Sequence, residues 1–210
     1  MTRAMTTRTV SERGVLPIAG ALVFLLLPGV ARAEDGWQAF QEVASVLQSP
    51  RCLSCHISGD APLQADATRP HGMNIKRGAD GSGTPAQRCS NCHQDRNAEV
   101  RHSPPGAPGW RLPPPAMRMA WQGLKARELC AALVDPTRNG GKDVAALEEH
   151  VNHDPLVLWG WNPGPGRKPP PISHAAFVAR FATWTAAGTP CGPARRLGKG
   201  GTGHLGERRR

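Results

Sequence analysis

The chain has 210 residues, six cysteines and a formal net charge of +10 at pH 7. This length predicts one domain, or two small lobes, and excludes a large multidomain protein. Beyond residue 34 no stretch is apolar for the roughly 20 residues that a membrane-spanning helix needs, so no transmembrane span is expected there.

The first 33 residues have the three parts of a secretory signal peptide. Three arginines make a basic start, residues 15–30 are mostly apolar, and Ala31 and Ala33 supply a small-residue cleavage site. The alternative is a retained membrane anchor, which is disfavoured because two prolines interrupt an apolar run that is short for a span. The sequence therefore predicts a signal peptide over 1–33, cleavage after Ala33, and a periplasmic mature chain that starts at Glu34.

The mature chain is predicted to begin with an amphipathic helix over residues 35–49. Its apolar stripe recurs at helical spacing and consists of Trp37, Phe40, Val43 and Leu47. This stripe is expected to pack inward, in an ordinary core or against a planar cofactor. From residue 50 to residue 118, glycine, proline, asparagine and serine interrupt the chain repeatedly, so this stretch is predicted to be mostly loop.

Within this loop-rich stretch one five-residue pattern occurs twice, as CLSCH at 52–56 and CSNCH at 89–93. C-x-x-C-H is the attachment pattern of c-type haem. Residues i and i+3 share one face of a helical turn, so both sulfurs can reach one porphyrin, and the following imidazole can bind its iron. The sequence predicts two haem c groups, with proximal ligands His56 and His93 and with covalent attachment at Cys52, Cys55, Cys89 and Cys92.

Two other uses of paired cysteines fit the pattern less well. A zinc ribbon also takes two C-x-x-C pairs, but zinc has no use for a histidine directly after each pair. A thioredoxin-like disulfide needs a βαβ setting, which the surrounding sequence lacks, and is not expected twice in so short a stretch. In an exported chain, haem is therefore the favoured interpretation, and residues 34–110 are assigned as a haem-binding region.

The sixth position on each iron decides whether the iron only transfers electrons or also binds a small molecule. His71 lies in a turn-rich loop between the two motifs, from which it can reach over an iron. His150 ends a predicted helix whose apolar face should point inward. These two histidines are the predicted distal ligands, and Met119, at the start of an apolar helix, is the alternative.

Residues 111–194 are predicted to form a helical region that packs on the haems. Helices are expected over 119–135, after a possible N-cap at Asp143, and from the N-cap Ser173 to Gly188. Between the last two, LVLWGWNPGPGRKPPP is expected to be a short apolar strand or turn followed by a loop. Cys130 and Cys191 remain, and a disulfide between them is favoured over two separate buried thiols.

Residues 195–210 hold six basic side chains against one acidic residue, Glu207, and are predicted to be a disordered, solvated tail. A basic tail can contact nucleic acid, an anionic membrane surface or an acidic partner protein. Nucleic acid is not expected as a partner of an exported chain. An acidic partner or a membrane surface therefore remains as the alternative to a solvated tail.

Several segments together resemble one family. They are CLSCH, RPHGMNIKRGADGSG, RCSNCHQDRN, PGAPGWRLPPPAM, ELCAALVDPTRNGG and LVLWGWNPGPGR. The chain from about residue 37 to residue 192 is similar to small exported dihaem c-type cytochromes, some of which are labelled isoquinoline 1-oxidoreductase subunits. The resemblance implies a cytochrome component that accepts electrons from a periplasmic molybdenum hydroxylase on another polypeptide.

The sequence as a whole predicts a mainly α, loop-rich dihaem cytochrome c in which the haems form much of the core. The expected function is electron transfer between a redox donor and a redox acceptor protein, without catalysis of its own. Two alternatives stay open. One is a peroxidase-like haem enzyme with an open iron, and the other is a zinc-stabilised exported binding module.

Overall fold

The computed structural model describes residues 28–193, with side chains from residue 35 onward. Most of the predicted signal peptide and the whole basic tail, 195–210, lie outside the described residues. The helices are α1 (Pro28–Leu47), α2 (Pro50–Leu53), α3 (Ala126–Val134), α4 (Val144–His153), α5 (Pro155–Trp159) and α6 (His174–Ala186). The predicted cleavage point after Ala33 falls within α1.

The strands are short and form two antiparallel pairs in the loop-rich first half. β1 (Leu63–Gln64) pairs with β2 (Arg69–Pro70), and β3 (Gly83–Thr84) pairs with β4 (Gln87–Arg88). Leu63 lies opposite Pro70, and Gly83 lies opposite Arg88. The fold is thus mainly helical with short strands and long loops, which confirms the predicted fold class at this level.

The helical core forms where α1 packs against α6, with α3 and α4 beside them. Phe40 of α1 meets Trp184 of α6 with 4.8 Å between ring centroids, and both side chains are fully buried. Val43 and Leu47 are also buried and Trp37 packs against them, as the helical spacing predicted. Burial of aromatic and aliphatic side chains at this density makes the α1–α6 contact the main apolar core of the described residues.

Two helix starts confirm the predicted capping residues. The carboxylate of Asp143 accepts a hydrogen bond from the amide of Ala146 at 2.8 Å, at the first turn of α4. The hydroxyl of Ser173 accepts one from the amide of Ala176 at 3.2 Å, at the first turn of α6. Each cap satisfies an amide that the helix itself cannot pair.

Two predictions for the second half were wrong. The helix expected over 119–135 begins only at Ala126, because Met119 and Gly123 have left-handed backbone angles (φ 46° and 74°) that no α-helix contains. The segment expected to be a strand or turn forms the short helix α5 instead. There Asp154 caps the helix by accepting from the amide of Leu156 at 2.8 Å, and the next residue is Pro155 at the first helical position.

Cys130 and Cys191 form a disulfide with 5.4 Å between their Cα atoms, as the sequence favoured. The bond ties α3 to the segment that follows α6 across a separation of 61 residues. Closing a loop of this length is expected to stabilise the fold by about 2–4 kcal/mol.

The loops between α2 and α3 are organised around a buried arginine. The Arg77 side chain is 1% exposed and donates hydrogen bonds to the carbonyls of Ile57 (3.2 Å), Gly59 (2.9 Å) and Pro113. A guanidinium bonded to several carbonyls fixes backbone segments that have no ladder or helix of their own. Within residues 28–193 no helix is both long enough and apolar enough to cross a membrane.

Candidate functional site

Both C-x-x-C-H motifs fold into the same tight turn. In the first, the amides of Cys55 and His56 donate to the carbonyl of Cys52 at 3.2 and 3.1 Å. In the second, the amides of Cys92 and His93 donate to the carbonyl of Cys89 at 3.2 and 2.9 Å. Because the two turns match, each motif presents its cysteines and its histidine in the same local arrangement.

The first motif histidine is held on both its ring edge and its ring face. His56 Nδ1 lies 3.0 Å from the carbonyl oxygen of Met119, and its ring stacks on Trp121 at 3.4 Å with 6° between the planes. A carbonyl can only accept a hydrogen bond, so Nδ1 carries the proton and Nε2 keeps a free lone pair. Trp121 is itself fixed because its amide donates to the carbonyl of His56 at 3.0 Å.

The second motif histidine repeats this construction with different partners. His93 Nδ1 lies 2.7 Å from the carbonyl oxygen of Pro105, and its ring stacks on Trp110 at 4.6 Å with 7° between the planes. The amide of Gly106 donates to Asn97 Oδ1 at 3.1 Å, which fixes the peptide that carries the Pro105 carbonyl. Here too Nε2 is the nitrogen left with a lone pair.

Both motif histidines are neutral at physiological pH. Burial lowers the pKa of His56 to about 4, although its bond to the Met119 carbonyl acts in the opposite direction. Burial also lowers the pKa of His93. A neutral imidazole with Nδ1 bonded to a carbonyl is the form that binds a metal through Nε2, and the carbonyl fixes its orientation.

The first motif opens on a cavity of about 530 Å³, called the larger cavity below. Its walls are mainly apolar and include Phe177 and Phe181 from α6 and Leu147 from α4. The volume lies within the roughly 300–1,000 Å³ that cofactor sites usually have. The predicted site residues on its wall are Cys52, Cys55, His56, His150 and Met119.

The second motif opens on a smaller cavity of about 240 Å³. This cavity is also mainly apolar, and its wall comes largely from the loops between α2 and α3. The predicted site residues on its wall are Cys89, Cys92, His93 and His71.

The two cavities share a wall. Cys55, Trp110 and Trp159 line both of them, together with Leu112 and Arg51. Trp110 and Trp159 meet edge to face with 4.8 Å between ring centroids. Two planar groups held by the two motifs would therefore be neighbours, separated by only one layer of side chains.

His71 stands close to the motif histidine of the smaller cavity. The ring centroids of His71 and His93 are 6.1 Å apart, and the ring planes make an angle of 64°. His71 Nδ1 lies 2.9 Å from the carbonyl oxygen of Gly72, so its Nε2 also keeps the lone pair. The sequence-predicted pair of ligands is thus brought together at this cavity.

The spacing of these rings can be compared with what one metal requires. Metal–imidazole bonds are about 2.0–2.1 Å long, and a five-membered ring with bonds of about 1.33 Å places nitrogen about 1.1 Å from the ring centre. A metal bound between two imidazoles thus separates their centroids by about 6.2 Å. The observed 6.1 Å between His71 and His93 fits that separation.

In the larger cavity the two distal candidates differ in position. His150 is half-buried, and its Nδ1 lies 3.2 Å from the Asp154 carboxylate, which leaves Nε2 as the free nitrogen. Met119 instead supplies its carbonyl to Nδ1 of His56, the side of the ring turned away from Nε2. The backbone of Met119 therefore orients His56, and of the two predicted distal candidates His150 has the freer side chain nitrogen.

The cysteines of the first motif differ from redox-active cysteines. Burial raises the pKa of the Cys52 thiol to about 12 and of the Cys55 thiol to about 11, whereas redox-active C-x-x-C pairs have lowered pKa values. Across residues 28–193, no group of three or more His, Cys, Asp or Glu side chains converges as a metal ion would require. A haem iron needs only one or two protein ligands, because the porphyrin supplies four.

Two residues of the site gave no signal in the sequence. Trp110 stacks on His93, and Asn97 positions the Pro105 peptide. Trp110 lies in a glycine- and proline-rich stretch without periodicity, so the sequence marks it only as an aromatic residue within a loop. Trp121 falls within the helix predicted over 119–135, but it lies ahead of α3 and stacks on His56 instead.

Comparisons with protein-family models, with curated proteins and with solved structures gave no match to this chain.

Proposed function

We propose that the chain is a dihaem c-type cytochrome that transfers electrons. Cys52 and Cys55 would attach one haem, with His56 as its proximal ligand. Cys89 and Cys92 would attach the other, with His93 as its proximal ligand. The observation that carries this proposal is the repeated construction in which each motif histidine has Nδ1 tied to a carbonyl, a tryptophan on its face, and an apolar cavity beside it.

The residues present fit the two groups. Each motif supplies two thiols and a neutral imidazole, and the cavity walls supply apolar side chains that exclude water. Bound haem c supplies one-electron chemistry at its iron. The chain's own part is to orient His56 and His93 through the Met119 and Pro105 carbonyls and to keep each site apolar.

Electron transfer is favoured because candidates for both sixth positions lie on the cavity walls. His71 is spaced from His93 as two imidazoles on one metal would be, and His150 lines the larger cavity. Two protein ligands on each iron would leave no position for a small molecule, so the chemistry that haem would supply there is electron transfer. The shared wall of the two cavities supports fast exchange between the two sites.

A second candidate function is a peroxidase-like haem enzyme. It is favoured by the greater volume of the larger cavity and by the His150–Asp154 pair, which can take and give a proton if His150 does not bind iron. Addition of carbon monoxide or cyanide to the native protein distinguishes the haem enzyme from the electron carrier. Binding by the wild-type protein supports the enzyme, and no binding supports the carrier.

The proposed setting is the periplasm, with redox proteins as donor and acceptor. The predicted signal peptide supports export, and the resemblance supports a molybdenum hydroxylase on another polypeptide as the donor. The basic tail offers a contact to an acidic partner or to a membrane surface.

The proposal is tested by intact mass and absorption spectra of the protein matured in a periplasm that attaches c-type haem. We expect the mass of two haems to survive denaturation, and low-spin spectra in both oxidation states. The double variants Cys52→Ala/Cys55→Ala and Cys89→Ala/Cys92→Ala should each retain one haem. A wild-type protein without covalent haem, in cells that mature other c-type cytochromes, would refute the proposal.

A further inference from the structure

A buried arginine stands at the wall between the two cavities. Arg51 precedes the first motif directly, is 4% exposed, and lines both the larger and the smaller cavity. Arginine is seldom buried unless its charge is paired, so the partners of the Arg51 guanidinium decide what the side chain does there.

The contacts of Arg51 leave part of its guanidinium unpaired. One Nη atom lies 2.8 Å from an Asp66 carboxylate oxygen, and the guanidinium carbon lies 5.7 Å from the ring centre of Trp159. Its Nε is buried and has no hydrogen-bond partner among the described residues. A buried N–H without an acceptor is costly, and here it belongs to a side chain on a cavity wall.

Arg77 is equally buried but serves a different purpose. Its Nε, 3.8 Å from an Asp60 oxygen, also lacks a hydrogen-bond partner among the described residues, but Arg77 lines neither cavity and its Nη atoms donate to loop carbonyls. Arg77 therefore holds the loops together. Within residues 28–193 the Arg51 guanidinium donates to no carbonyl, and it lies beside the space where a ligand would be.

The smaller cavity has a cationic wall. It has no acidic residue on its described wall, but it has four arginines, which are Arg51, Arg88, Arg111 and Arg167. Asp66 and Asp80, just outside that wall, pair with Arg51 and Arg88, and Arg51 and Arg111 also line the larger cavity. The larger cavity has one acidic residue, Asp154, which faces His150. Apolar cavities with a cationic wall suit a ligand that is mainly apolar and carries anionic groups at one edge.

We propose that Arg51 binds the propionate carboxylates of haem at the shared wall and that its charge raises the reduction potentials of both haems. The planar fork of a guanidinium matches a carboxylate, and Nε is one of the donors that the fork presents. A fixed positive charge favours the reduced state of a nearby iron, because reduction adds an electron. This inference rests on the proposed function.

The test measures the midpoint potentials of both haems by optical redox titration, after haem content has been counted by intact mass. Arg51→Gln removes the charge, and both potentials are expected to fall. The expected fall corresponds to about a tenfold weaker reduction equilibrium, or about 59 mV for one electron. Arg51→Lys keeps the charge but loses the fork, so a smaller fall is expected.

A second perturbation acts in the opposite direction and leaves Arg51 in place. Asparagine keeps an oxygen that can accept the hydrogen bond from Arg51, so Asp66→Asn is a mild way to remove the negative charge that partly offsets Arg51. Both potentials are expected to rise. Arg180→Gln is the matched control, because Arg180 pairs with Glu42 at the surface and lines neither cavity. Its potentials should equal those of the wild type.

The outcomes separate the two proposals. Wild-type protein without covalent haem refutes the proposed function and this inference with it. Two haems in Arg51→Gln with both potentials unchanged, or with only one changed, refute the shared role of Arg51 and leave the dihaem function intact. If Arg51→Gln does not acquire its haems, the potentials of Asp66→Asn test the inference instead. Unchanged or lowered potentials in Asp66→Asn overturn it.

Discussion

Replacement of His71 by alanine tests the ligand pair of the smaller cavity directly. The centroids of His71 and His93 are 6.1 Å apart, which matches one metal between two imidazoles at about 6.2 Å. An alanine side chain ends at Cβ and cannot span that gap. His71→Ala should therefore open the sixth position of one haem of the two and leave the other unchanged.

The assay is titration of the reduced protein with carbon monoxide, followed by absorption. We expect the wild type to bind none and His71→Ala to bind one equivalent per chain, with about half of the haem becoming high-spin in the absence of the ligand. His153→Ala is the matched control, since His153 is exposed, pairs with Glu149 and lines neither cavity.

Two residues are able to mask this effect. His102 and Met73 also line the smaller cavity, so a new ligand could come from either once His71 is gone. The triple variant His71→Ala/His102→Ala/Met73→Leu removes all three side chains. If this triple variant still holds two six-coordinate haems and binds no carbon monoxide, the reasoning from ring spacing is wrong.

Two further predictions follow from the larger cavity and from the disulfide. His150→Ala should bind one equivalent of carbon monoxide, whereas Met119→Leu should bind none, because Met119 acts through its backbone carbonyl. Titration of both variants with carbon monoxide checks this. The reverse pattern would make Met119 the distal ligand. The Cys130→Ser/Cys191→Ser variant should lose about 2–4 kcal/mol of unfolding free energy, measured by urea unfolding followed by far-ultraviolet circular dichroism. A loss near zero would mean that other contacts keep the loop closed without the disulfide.

The helices were predictable where the sequence marks both a start and an apolar face. Asp143 and Ser173 are capping residues directly before segments with apolar residues at helical spacing, and α4 and α6 begin there. The start of α3 was not predictable by this means. Its apolar spacing continues back through Trp121, but the left-handed backbone angles of Met119 and Gly123 keep the helix from beginning before Ala126.

The site was predictable only in its local part. The cysteines and histidines of each motif are neighbours in sequence, so their common turn follows from spacing alone. The acceptors and stacking partners lie far along the chain, such as Met119 and Trp121 for His56, with a separation of 63 residues for the hydrogen bond to Met119. Loop closures of this length leave no periodicity, so a single sequence does not reveal them.

The shared wall gives a physical reason for two motifs in one small body. Trp159 and Cys55 line both cavities, so an electron that reaches one proposed site has the other as its nearest neighbour. Two one-electron sites separated by one layer of side chains could together accept two electrons, which is what the proposed hydroxylase donor would deliver in each reaction. For electron exchange, the spacing of the two cavities therefore matters as much as the iron ligands. Arg51 lines both cavities, so its charge can change the reduction potentials of both proposed sites together.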